Sequence, residues 1–123
     1  MRRRKEEPQI NYLDLIPERS PEIRWSTDFK KRVVLEIENT GLFNRIAQKV
    51  FGKPRYTKVH LDAQGTHLWP LIDGKKTVME LAALQKERFG EEAEPLYSRI
   101  VKYFQILESY QFIRFVNKPE KNN

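Results

Sequence analysis

Two histidines, His60 and His67, with Asp62 and Asp73 near them in sequence, are the residues of this 123-residue chain that come closest to a metal centre. A zinc or iron site needs three or four converging ligands. No third ligand stands at a usual spacing here, so no metal site is expected. The chain has no cysteine, which removes disulfides, thiolate nucleophiles, iron–sulfur clusters and cysteine zinc sites. Ser20, Ser26, Ser98 and Ser109 lie in ordinary surroundings, and two histidines offer too few partners for a nucleophilic triad. Gly65, Gly74 and Gly90 are too far apart to cradle a phosphate, and each has a turn or a cap to make. Carboxylates gather only at a helix start and on exposed faces. Neither catalysis nor a cofactor is expected. What remains is binding.

The elements that would present a binding surface are legible from His60 to Phe115. Thr77 and Glu80 form the pattern T-V-M-E, a capping box that opens a helix. Val78, Leu81, Ala82 and Phe89 fall on one of its faces, and Gly90 follows as a left-handed C-cap. A later helix begins after Glu91, Glu92 and Glu94, acids that suit the positive end of a helix dipole. Pro95 is tolerable in its first turn. Leu96, Ile100, Tyr103, Phe104 and Leu107 make its apolar stripe. An earlier helix takes Asp62 as N-cap and buries Leu68, Leu71 and Ile72; Pro70 kinks it or delays it. Asp73-Gly74 turns the chain. Phe112, Ile113, Phe115 and Val116 read as a terminal strand.

Upstream, Ile23 and Trp25 begin one strand of a hairpin, and Val33, Val34, Leu35 and Ile37 form the next. Asp28 to Lys31 connects them. Thr40 to Phe51 is an amphipathic helix, with Leu42, Phe43, Ile46, Ala47, Val50 and Phe51 on one face. Arg55 to Leu61 is a third strand: Tyr56, Lys58 and His60 face one way, Thr57, Val59 and Leu61 the other, the second being the core side. The fold class expected is α+β and winged helix-turn-helix-like: a three-stranded N-terminal antiparallel sheet, then three helices, with the amphipathic helix inserted before the third strand. Residues 22–116 would form the domain, with the insert helix at 40–51. Residues 1–21 would be an extension, partly disordered, although Ile10, Tyr12, Leu13, Leu15 and Ile16 are too apolar for a free tail and should lie on the domain or a neighbour. Residues 117–123 would be a polar tail.

The net charge is +6, which suggests nucleic acid until its distribution is read. The excess lies in residues 1–60, whereas residues 61–116 are slightly acidic. A DNA-reading helix should concentrate cations, and the last helix carries only Arg99 and Lys102. Nucleic acid is therefore not the expected partner. No apolar run approaches the roughly 20 residues that span a bilayer, and the basic start lacks an apolar region behind it. A cytoplasmic protein is expected.

The strand and helix order, joined to Leu61, Asp62, Gly65, Leu68, Trp69, Ile72, Asp73, Gly74, Lys76, Thr77, Val78, Glu80 and Leu81, resembles the PqqD family. Its members include the peptide chaperone of pyrroloquinoline quinone (PQQ) biosynthesis and the recognition elements of ribosomally synthesised, modified peptide (RiPP) pathways. The resemblance implies a non-catalytic module. It implies that an unstructured leader peptide adds as an antiparallel strand to the third strand and sits against the third helix. It further implies a partner enzyme that modifies the peptide, commonly a radical SAM enzyme. Mapped onto this sequence, the edge is Arg55, Tyr56, Thr57, Lys58, Val59 and His60, and the helix face includes Tyr97, Ile100, Val101 and Phe104. Arg55 and Lys58 would favour an acidic peptide. The helix Thr40–Phe51 and the N-terminal extension are additions to the compact family plan, and either could occupy the peptide site in cis. Two other readings compete: a winged-helix DNA-binding regulator, and a structural or assembly subunit docking through its amphipathic helix.

Overall fold

The computed structural model describes residues 11–38 and 56–118. The expected helix at Thr40–Phe51, residue Arg55 and both chain ends lie outside these described residues. The protein is α+β, with three α-helices and two small antiparallel sheets among the described residues. It divides into two units: residues 21–69, and residues 1–20 together with 70–123.

The first unit, residues 21–69, is built on a three-stranded sheet of order β2-β3-β4, where β2 is Arg24–Thr27, β3 is Val33–Glu38 and β4 is Tyr56–His60. The expected hairpin is present, one residue later than Ile23 at its start. Its turn is made by Asp28. The Asp28 carboxylate accepts the N–H groups of Lys30 at 2.9 Å and Arg32 at 3.0 Å, and Lys31 adopts φ 63°. An Asp side chain that bonds backbone two residues on replaces the Asn-Gly signal of a tighter hairpin. β3 is the hydrophobic centre of the sheet: Val33 and Leu35 are buried, Leu35 completely.

The chain then enters helix α1, Ala63–Leu68. Asp62 caps it as expected, accepting the Gly65 N–H at 2.8 Å. Thr66 ties the helix to the sheet by accepting the Val33 N–H at 3.0 Å. α1 stops at Leu68 and tightens into a 3-10 turn over Trp69–Leu71. Pro70 cannot donate to an α-helical ladder, so the helix ends there.

In the second unit, helix α2 is Val78–Phe89 and helix α3 is Leu96–Ser109. The capping box of α2 forms in both directions: Thr77 accepts the Glu80 N–H at 3.1 Å, and Glu80 accepts the Thr77 N–H at 2.9 Å. Val78, Leu81 and Ala82 are fully buried, while Phe89 is only half-buried. Gly90 has a positive φ of 60°, but its ψ of −129° is not the left-handed helical value expected. A 3-10 turn, Gly90–Ala93, separates α2 from α3. Pro95 is the N-cap of α3 rather than a first-turn residue. Ile100, Phe104 and Leu107 form the buried stripe.

The segment before residue 21 supplies a strand that the sequence did not announce. Tyr12–Asp14 is a 3-10 turn capped by Asn11, and β1, Pro17–Arg19, pairs antiparallel with β5, Ile113–Phe115. Phe112 and Val116 fall outside β5, and Arg114 is its exposed residue. The other margin of β1 is also engaged. The Arg19 N–H donates to the Ile72 carbonyl at 3.2 Å and the Gly74 N–H to the Pro17 carbonyl at 2.9 Å. The Arg19 guanidinium donates to the carbonyls of Pro70 at 2.9 Å and Ile72 at 3.1 Å. At the start of α2, the Val78 N–H donates to the Leu15 carbonyl at 2.8 Å.

Candidate functional site

β4 pairs with β3 on one side, and among the described residues no strand pairs with its other side. The ladder fixes which backbone groups point outward. The Leu61 N–H donates to the Val33 carbonyl at 2.9 Å. Bonded pairs alternate along an antiparallel ladder, so Val59 and Thr57 also spend their groups on β3. The backbone groups of Tyr56, Lys58 and His60 therefore point to the outer margin. An edge of this kind is a template for another strand.

The side chains of the same three residues share one face of the sheet. Register aligns Lys58 with Glu36 and Glu36 with Arg24. The Arg24 guanidinium donates to the Glu36 carboxylate at 3.3 Å and lies 5.6 Å from the centre of the Tyr56 ring. Lys58 has no ion pair among the described residues. His60 Nδ1 is 3.7 Å from the Asp28 carboxylate. Asp28 is held below the usual carboxylate range, first by the Arg32 N–H, then by the Lys30 N–H and the charge of His60. On the opposite face, Trp25, Leu35 and Val59 align. Val59 is half-buried, matching its expected core side.

In α3, Ile100 and Phe104 belong to the interior of their unit, Phe104 being completely buried and set edge-on to Phe115 with ring centres 6.5 Å apart. Tyr97 is half exposed and Val101 half-buried. Arg99, one of the two cations of this helix, donates to the carbonyls of Glu92 at 3.1 Å and Glu94 at 3.0 Å. Lys86 and Glu94 form an ion pair beside the same helix start. Their mutual hydrogen bond is the main reason that Glu94 is held low and Lys86 high.

Sequence reasoning identified Lys58 but passed over Arg24, Glu36 and Asp28, whose relevance emerges from the register of three strands. The signal was present: counting outward from an Asp28 turn places Arg24 opposite Glu36. Among the described residues, no cluster of three or more His, Asp or Glu side chains is arranged to hold a metal ion. No helix among them is long and apolar enough to cross a membrane.

With this geometry in hand, comparison with known proteins gives one positive finding. The family model described as coenzyme PQQ synthesis protein D (PqqD) matches residues 33–113, from β3 to the first residue of β5. No curated protein and no solved structure matches the chain.

Proposed function

The chain belongs to the PqqD family, and on that premise we propose that it is a non-catalytic peptide-binding module. It captures the leader segment of a precursor peptide and presents it to a peptide-modifying enzyme of the radical SAM class. The family's description points to synthesis of the coenzyme PQQ. Capture works by β-strand addition: the leader lies antiparallel along β4, main-chain hydrogen bonds supply affinity and alternate side chains supply selectivity. The frame is a winged-helix-like arrangement used for peptide rather than DNA.

One observation carries this reading. Among the described residues β4 is an edge strand, and its outward backbone groups are those of Tyr56, Lys58 and His60. The side chains of Thr57 and Val59 alternate to the opposite face, and Arg55, proposed as part of the same site, immediately precedes β4 in sequence. Of the helical residues implied by the resemblance, Ile100 and Phe104 are buried, whereas Tyr97 is exposed and Val101 half-buried. Commitment of Arg99 to backbone carbonyls weighs against a DNA-reading role for α3.

The test is a titration of the isotope-labelled chain with the short precursor peptide encoded beside its gene. Amide shifts centred on β4 are expected. Unchanged β4 resonances at saturating peptide would overturn the reading.

A further inference from the structure

We propose that the strand accepted by β4 carries an acidic residue opposite Lys58, with an apolar residue immediately before it. This rests on strand addition at β4 and adds a register rule to it. The rule comes from rows of side chains that run across the sheet.

Arg24, Glu36 and Lys58 stand in one row on one face. Their charges alternate, positive, negative, positive. The Glu36 carboxylate is taken by Arg24 at 3.3 Å, and contact with the Tyr56 ring helps hold the guanidinium there. Lys58 is left at the open end of the row with no ion pair among the described residues. Side chains directly opposite each other on neighbouring strands interact, opposite charges favourably and like charges unfavourably. The next member of this row is therefore Asp or Glu.

The adjoining row lies on the other face and reads Trp25, Leu35, Val59, apolar throughout. In an antiparallel addition the residue preceding the acidic one falls opposite Val59. An aliphatic or aromatic side chain there continues the apolar row. The following row is Ser26, Val34, His60. Asp28 already faces His60 at 3.7 Å, so this row asks for no charge. Recognition is thus for an apolar–acidic pair within an extended segment, not for acidity spread evenly along the peptide.

The experiment uses the full chain and short labelled synthetic peptides that contain Ile-Glu-Thr-Tyr, together with siblings in which the Glu is Gln or Lys. Affinity is read by fluorescence anisotropy, and β4 amide shifts are recorded in parallel. The native chain should bind the Glu peptide about two- to fivefold more tightly than the Gln peptide, with the Lys peptide weakest. Lys58→Glu should reverse that order, and Lys58→Gln should abolish the preference. A Lys58→Glu chain that still favours the Glu peptide overturns the rule. If all three peptides shift the Tyr56, Lys58 and His60 amides equally well, the rule fails while strand addition stands. If none shifts them, both fail together.

Discussion

Arg24 and Glu36 are bonded across β2 and β3 at 3.3 Å, and this pairing removes the carboxylate that would otherwise neutralise Lys58 from the neighbouring strand. The cation at the sheet margin is therefore kept available by a residue two strands away. Under the proposed register rule, Arg24 acts as a positioning residue and need not touch a peptide.

Substituting Arg24→Gln should free Glu36 for Lys58. Because the pair is solvent-exposed, stability should change by less than about 0.5 kcal/mol in urea denaturation. Affinity for a peptide with Glu opposite Lys58 should fall about twofold, while affinity for its Gln sibling should not change. An equal loss for both peptides would show that Arg24 acts in some other way.

A proline at His60 should block the edge without dismantling the sheet. The His60 N–H points outward, and proline is tolerated in edge strands where the missing donor faces solvent. His60→Pro should weaken peptide binding by about five- to tenfold, the equivalent of a lost hydrogen bond. Circular dichroism should show the fold retained. Undiminished binding would exclude the outer margin of β4 as the docking line.

Thr77 and Glu80 satisfy each other's backbone donors at the start of α2. Thr77→Ala should cost about 1 kcal/mol and lower Tm by about 4 °C. Thr77→Ser should restore most of that loss. The alanine variant should bind peptide as the native chain does below its Tm.

The Tyr12 hydroxyl is buried with no hydrogen-bond partner among the described residues, and its ring meets Phe115 edge-on with centres 5.5 Å apart. Burial, aided by the charge of Glu108, pushes its ionisation well above the ordinary tyrosine range. The unfolded chain therefore loses this proton first as pH rises. The Tyr12 contribution to stability is intact below about pH 10 and declines above it. Tyr12→Phe should leave stability at neutral pH unchanged or slightly higher, since it removes an unsatisfied polar group. It should also lessen the alkaline decline. Chemical denaturation at neutral and alkaline pH checks both outcomes.

The sequence was most readable where structure is local. The Thr77–Glu80 box and the Asp62 cap depend on neighbours within a few residues, and each appears as expected. β1 was not readable because its first residue is a proline and its three residues carry no alternating signal. Its register is set by β5: Glu18 pairs with Arg114, which lies 96 positions away. Pro95 looked like a first-turn residue because helix-start acids precede it, but Glu91 and Glu92 belong to a separate 3-10 turn and Glu94 is the residue that ends it. At the candidate site, the exposed cation Lys58 was visible as a residue type. The charge row that gives it meaning required two strand registers, which are products of tertiary pairing.

Hydrogen exchange at β4 tests the central claim most directly. In the chain alone, the amides of Tyr56, Lys58 and His60 should exchange quickly, because they point away from β3, while that of Val59 is already protected. Saturating precursor peptide should slow exchange at Tyr56, Lys58 and His60 and leave Val59 little changed. Peptide binding that leaves all three outward amides exchanging at their original rates would contradict strand addition at this edge.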